Sequence, residues 1–193
     1  MALQNPGEEI VGEYLKLFKD CDFVEYNLYT PDAQGEIDVV GINPKNKIVF
    51  ICEVATHLVT GLQYVKDQQP ENVARFTRKF RKNIQYANKY FEDYEKHFML
   101  WSPIVKNQGP TAKHNQIRDI KEINENLRLE FGVELEPVIN QEYLNFLVQL
   151  REHAAKETKE LKSPILRLMQ IEERLLKHTA RVERKNQQTS QQL

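Results

Sequence analysis

Three acidic residues in the first third of the chain, Glu36, Asp38 and Glu53, have the types and spacing to do metal chemistry. Glu36 and Asp38 stand two apart in the β-rich run GEIDVVGI (35–42), so strand alternation puts both on one face, with Ile37 and Val39 on the other. Glu53 follows four apolar residues and Cys52 in KIVFICEVA (47–55), the pattern of a central strand covered on both faces. A carboxylate in such a strand is costly unless it finds a cation, a proton or a hydrogen-bond network. Neighbouring antiparallel strands would bring Asp38 and Glu53 together. A divalent cation then resolves their repulsion, and Mg2+ (or Mn2+) suits a place that offers one or two carboxylates and leaves room for water.

A second group of residues suits phosphate. Arg75, Lys79, Lys82 and Tyr86 form a stripe at helical spacing, with Arg78 and Arg81 beside it. Cations aligned on a helix neutralise backbone phosphates and give affinity that falls with salt. Thr56 and His57 follow the Glu53 strand directly and are placed to touch a substrate. Tyr86, Tyr90 and Trp101 are candidates for base stacking, although aromatic residues at such spacings are more often core.

The elements that must carry these groups are legible from periodicity. Ile10, Val11, Tyr14, Leu17 and Phe18 predict a helix over 6–19, started by Asn5 and Pro6. Strands are predicted over 23–30, 35–42 and 47–55, the first two joined by a hairpin connection through Pro31, Asp32, Gln34 and Gly35. Val73, Phe76, Phe80, Ile84, Ala87, Phe91 and Tyr94 predict a long amphipathic helix from Pro70 to about Lys96. A strand over 97–105, a helix over 112–131 closed by Gly132, a strand over 133–139 and a helix over 142–159 follow. After Pro164 a further helix carries Ile165, Leu168, Met169, Leu175 and Leu176 into the polar tail NQQTSQQL. This order predicts an α/β sandwich, a central mixed β-sheet flanked by helices, with antiparallel early strands and later strands joined by helical crossovers. The expected division is a core over 1–160 and a C-terminal helical extension over 161–193.

Composition narrows the classes. The 193 residues are 40% hydrophobic and 28% charged, as in an ordinary folded domain. The net charge of -1 means that any nucleic-acid role must rest on a local basic surface rather than on the whole molecule. The two cysteines, Cys21 and Cys52, are too few and too far apart for a structural zinc site or a disulfide framework. The N-terminus has no signal-like apolar run, and no stretch of eighteen apolar residues occurs, so a cytoplasmic protein without a membrane span is expected.

The order of these features resembles the nuclease core of the PD-(D/E)xK, or restriction-endonuclease-like, superfamily. The most specific parts are an acidic first helix, GEIDVV, a short turn, and the apolar strand ending in ICEVATH. The resemblance covers about residues 7–140 and is nearest to the resolvase-like and small nuclease-related branches. It implies that Asp38 and Glu53 hold the metal, with the main-chain carbonyl of Val54 as a further ligand and a supporting acid at Glu9 or Glu13. It also implies phosphodiester hydrolysis, with DNA the expected substrate. One position departs from the pattern: the family lysine two residues after the glutamate is Ala55 here. Lys79 or Lys82 of the long helix is the candidate replacement, since relocated lysines occur in the family. Two other functions compete. One is an inactive nuclease-like module that binds nucleic acid or a protein, motivated by Ala55. The other is an assembly role in which the C-terminal helix docks on a second copy or another chain.

Overall fold

The computed structural model describes residues 5–30, 35–109 and 111–190, which form two compact units, Met1–Leu144 and Asn145–Leu193. In the first unit the chain opens with α1 (Pro6–Phe18), where Asn5 caps the helix by accepting from the Gly7 amide at 2.9 Å. Pro6 sits in the first turn, where its missing N–H costs nothing, and Glu8 and Glu9 lie at the positive end of the helix. Val11, Tyr14 and Leu15 form its buried stripe.

Strands β1 (Phe23–Tyr29), β2 (Glu36–Asn43) and β3 (Ile48–Val54) follow as an antiparallel meander. The predicted β1–β2 connection through Pro31, Asp32 and Gln34 lies outside the described residues. From β3 the chain passes through a small hairpin, β4 (Val65–Lys66) and β5 (Gln69–Pro70), into α2 (Asn72–Tyr90). Strand β6 (Glu95–Ser102), α3 (Gln116–Phe131) and β7 (Leu135–Ile139) complete the sheet, whose order is β1-β2-β3-β6-β7. The β3–β6 and β6–β7 pairs are parallel, each closed by a helical crossover. The mixed α/β sheet flanked by helices is therefore the predicted architecture.

Tertiary pairing overrides periodicity at several ends. The long helix stops at Tyr90 rather than near Lys96, because Glu95 pairs with Ile48 and donates its amide to Lys47 at 2.8 Å, drawing the following residues into β6. Helix α3 begins at Gln116 rather than Ala112: Asn115 caps it through the Arg118 amide at 3.1 Å and donates to the Gly109 carbonyl at 2.7 Å. Its C-terminus is the predicted one, with Gly132 in the left-handed region at φ 66°. The β4–β5 hairpin was not predicted. Its two turn residues, Asp67 and Gln68, both have positive φ, the geometry that tight hairpins usually give to Asn-Gly or Asp-Gly.

The core lies between the sheet and the α2–α3 pair, where Ile51, Phe80, Ile84, Leu100, Ile123 and Leu127 are all fully buried. Toward α1, Leu15 and Cys21 pack over Gly41, and Tyr14 meets the buried Trp101 ring edge-on at 5.5 Å.

Helix α4 (Asn140–Lys156) runs into the second unit, which is completed by α5 (Pro164–Ser190). Fully buried Gln170 organises the segment between them: its Nε2 donates to the carbonyls of Glu157 and Lys159 at 2.9 and 2.8 Å. Helix α5 continues through Ser190, so most of the expected polar tail is helical. Every residue from 174 to 184 is exposed, including Leu175, Leu176 and Val182.

Candidate active site

Asp38 and Glu53 come together because of strand register. Val39 faces Cys52 in the antiparallel β2–β3 pair, so Asp38 and Glu53 are the next pair outward and share a face. Here the two strands begin to part, and the Val54 amide donates to Asp38 Oδ2 at 2.7 Å. That bond pins one carboxylate oxygen and leaves the other, Oδ1, to accept from Lys79. Glu53 itself is fully buried, and Asn83 of α2 donates to its Oε1 at 2.7 Å.

The cation between them is Lys79. Its ammonium lies 3.3 Å from Asp38 Oδ1 and in direct contact with Glu53 Oε2. Lys79 and Asn83 are one helical turn apart on α2, so a single stripe delivers both groups. Phe76 and Phe80 anchor that stripe in the core. Position 55, two residues after Glu53, holds an alanine only 2% exposed and packed in the same apolar cluster.

The electrostatics follow from burial. Removal from water, reinforced by the Asp38 charge, pushes the Glu53 carboxyl up to about 8 against the pull of Lys79 and Asn83. Burial alone would lower the Lys79 ammonium, but the Glu53 and Asp38 charges outweigh it and hold the ammonium above its ordinary 10.5.

Beside the expected Glu9 and Glu13, a further first-helix acid, Glu8, is the one whose carboxyl is shifted by the Asp38 charge. Glu8 is buried, accepts from Asn27 Nδ2 at 3.0 Å, and has its carboxyl raised first by burial and then by the charges of Asp38 and Glu36. Glu9 is the next residue, about 100° further around the helix, and Glu13 forms an ion pair with Lys16 at 2.9 Å. The start of α1 sits close against the segment after β3: a Cβ on Gly7 would overlap the Thr56 methyl group.

Around the acids lies a cavity of about 320 Å³, lined by Thr30, Gly35, Glu36, Asp38, Arg75, Arg78, Lys79, Lys82 and Asn83. Four cations thus face two exposed or half-exposed acids. Arg75 is held in place by stacking over the Tyr64 ring at 4.2 Å, and Tyr64 in turn shares a hydrogen bond with His57 Nε2 at 3.1 Å. The structure therefore gathers Asp38, Glu53, Lys79, Lys82, Arg75 and Arg78 at one place, with His57 supporting its edge. Tyr86 and Tyr90 pack on each other with ring centroids 4.6 Å apart, and Trp101 is core.

Comparison with family models, with curated proteins and with solved structures gives no match. The geometry of the site must carry the functional reading by itself.

Asn83 and Glu8 were not singled out from the sequence. Asn83 carried a signal, since it is a polar interruption on the apolar side of a helix otherwise lined by Phe76, Phe80, Ile84 and Ala87. Glu8 carried none, because its burial depends on the close approach of Gly7 to Thr56.

Divalent metal can be tested against these residues. Among the described residues no group of three or more His, Cys, Asp or Glu side chains is gathered as a ligand set. Two carboxylates nevertheless converge on one cation, the Lys79 ammonium, and one of them is strongly disfavoured as a bare anion. That donor set fits magnesium, which is commonly held by one or two carboxylates and keeps its remaining waters.

Proposed function

We propose that this chain is a metal-dependent phosphodiesterase acting on nucleic acid, DNA in the first instance, with Asp38 and Glu53 as metal-holding acids and Lys79 as the relocated lysine. The observation that carries this reading is the convergence of Asp38, Glu53 and Lys79 on one point, at the floor of a cavity otherwise rimmed by Arg75, Arg78 and Lys82. A bound divalent ion would supply Lewis acidity and a more acidic water at this point. The chain's own residues do the rest. Val54 N–H and Asn83 fix the directions of the Asp38 and Glu53 carboxylates, which a preorganised site needs. Lys79 orients a water and offsets charge growing on a phosphate, while Arg75, stiffened by Tyr64, Arg78 and Lys82 hold the flanking phosphates.

The test is cleavage of plasmid, linear and single-stranded DNA with magnesium or manganese, beside Glu53→Ala and a chelator control. Cleavage that needs the metal and Glu53 supports the reading; cleavage that survives loss of either overturns it.

A second reading rests on the same contacts. Lys79 bridges both acids by itself, and the buried Ala55 provides no other lysine on the strand. A module of this kind would bind nucleic acid without cutting it. Binding with unchanged affinity in Glu53→Ala and no cleavage under any metal would select this alternative.

A further inference from the structure

Helix α5 carries its charges differently along its length. Over 164–173 each has a partner: Arg167 pairs with Glu160 at 2.7 Å, and Arg151 of α4 meets Glu173 at 3.0 Å and Glu172 at 3.7 Å. From 174 to 184 every residue is exposed, and Arg174, Lys177, Arg181 and Arg184 recur at steps of three and four. At roughly 100° and 1.5 Å per residue, these cations fall within about 80° of arc along about 15 Å of helix. Arg174 donates to the Glu157 and Thr158 carbonyls at 3.1 and 2.8 Å; Lys177, Arg181 and Arg184 have no hydrogen-bond or ion-pair partner among the described residues. Glu183, the one acid of this stretch, sits roughly 140° from the centre of the cation stripe. In a chain of net charge -1 this is a local concentration of positive charge. The apolar stripe of the same helix does not account for it. Exposed Leu168, Ile171, Leu175 and Val182 centre roughly 130° away, so a bilayer or a second helix seated on them leaves the cations turned to water.

We infer that the Lys177, Arg181 and Arg184 side of α5, extended by Arg174, is a docking ridge for the phosphate backbone of duplex nucleic acid. The inference does not depend on the acid site cutting a phosphodiester. Phosphates of a duplex are anions fixed along a stiff backbone, and cations fixed along a helix meet them without either chain having to fold. Arg174, Arg181 and Arg184 are arginines, whose planar fork takes a phosphate in two bonds. Helix α5 contains no Phe, Tyr or Trp, and so none of the rings on which the bases of a single strand stack. The contact is therefore to the backbone of a duplex and is sequence-tolerant.

The experiment uses the full chain with chelator present, so that binding is read without cleavage. A fluorescein-labelled DNA duplex of about twenty base pairs is titrated at several salt concentrations. The double variant Arg181→Gln/Arg184→Gln is compared with the parent; both side chains are exposed, and equal melting temperatures check the fold. Loss of two phosphate contacts should flatten the slope of log affinity against log salt by about 1.8. Arg181→Lys/Arg184→Lys, which keeps both charges, should hold the parental slope, as should Leu175→Ser/Val182→Ser on the apolar stripe. No binding by the parent, or an unchanged slope in the glutamine variant, overturns the ridge and leaves the acid-site reading standing. The expected change in a chain that cleaves nothing supports the ridge and counts against the nuclease. A flattened slope in the lysine or the serine variant overturns the phosphate contact. Equal affinity and equal loss on a single strand overturn the duplex assignment. Competition at equal charge by polyglutamate, or by vesicles of phosphatidylserine and phosphatidylcholine, overturns the nucleic-acid assignment.

Discussion

Replacing Glu53 by Gln should remove most of the pH dependence of stability in the metal-free protein. Glu53 is fully buried, and its carboxyl titrates at about 8 in the folded chain against an ordinary 4.5. A carboxyl raised in this way binds its proton more tightly when folded. Its stabilising effect is therefore complete below about 4.5 and is lost progressively as pH rises to about 8. At about 1.4 kcal/mol per pH unit, that window spans about 5 kcal/mol as an upper limit, because Lys79 shares the titration. For a chain of this size the loss corresponds to a fall of about 10–20 °C in melting temperature. Glutamine keeps the shape and the Asn83 contact while carrying no proton to lose. Chemical denaturation of parent and Glu53→Gln at pH 5, 6, 7 and 8 reads the two slopes. Glu8, also raised, contributes in the same direction and remains in the variant, so a residual slope is expected. A parent whose stability is flat or rises between pH 5 and 8, or a variant that keeps the full parental slope, refutes the account of Glu53.

Saturating magnesium should raise the parent's stability at pH 8 and do little for Glu53→Gln; equal gains in both, by differential scanning calorimetry, would place the metal elsewhere. Lys79→Met should lower turnover by about a hundred- to a thousandfold, about 2.7–4 kcal/mol, with DNA affinity changed only modestly, whereas a plain phosphate contact would weaken binding and spare saturated turnover. Gly7→Ala should destabilise the fold by about 1–3 kcal/mol through collision with the Thr56 methyl, and Thr56→Ser in the same chain should recover much of it by removing that methyl. Failure of this rescue in urea unfolding would mean that α1 is not seated as described.

The strand–strand part of the site was legible because β alternation and antiparallel register are local rules. Once GEIDVVGI and KIVFICEVA are strands joined by a short turn, Asp38 and Glu53 have few places to go. That a lysine of α2, Lys79 or Lys82, could reach the acids was legible for a similar reason, since Phe76 and Phe80 fix which side of α2 lies on the sheet, but the choice of Lys79 was not. What escaped depends on contacts distant in sequence. Glu8 was not separated from Glu9 and Glu13 because neighbouring acids on one helix are told apart only by rotation and rise about α1. That rotation is set by the Gly7–Thr56 approach and by Asn27, held at φ 51° with its amide on Glu8. The β4–β5 turn was hidden because Asp67 and Gln68 take the left-handed region without a glycine to announce it. The end of α2 was misplaced because Phe91 and Tyr94 keep the helical period through the turn that joins α2 to β6.

The packing around position 55 gives a physical reason for a cation to reach the acid pair from α2 and not from the end of β3. Ala55 follows β3 directly, its amide bonded to the Trp101 carbonyl, and contributes to the apolar layer that includes Leu62, Phe76 and Phe80. A lysine at 55 would place its stem in that layer and oblige an ammonium to find its way out beneath α2, at the cost of burying charge along the route. Lys79 avoids this by approaching from the helix: it is only partly buried, with a side chain 30% exposed, and its stem lies along the helix flank while its head meets both carboxylates. A cation delivered from the helix also depends on how α2 is seated, and Asn83 ties that seating to Glu53 directly. The acid pair and its lysine are thus set by two different elements, the β2–β3 register and the rotation of α2, and the Asn83–Glu53 bond couples them. A helix displaced by one residue would lose Lys79 and Asn83 from the site together.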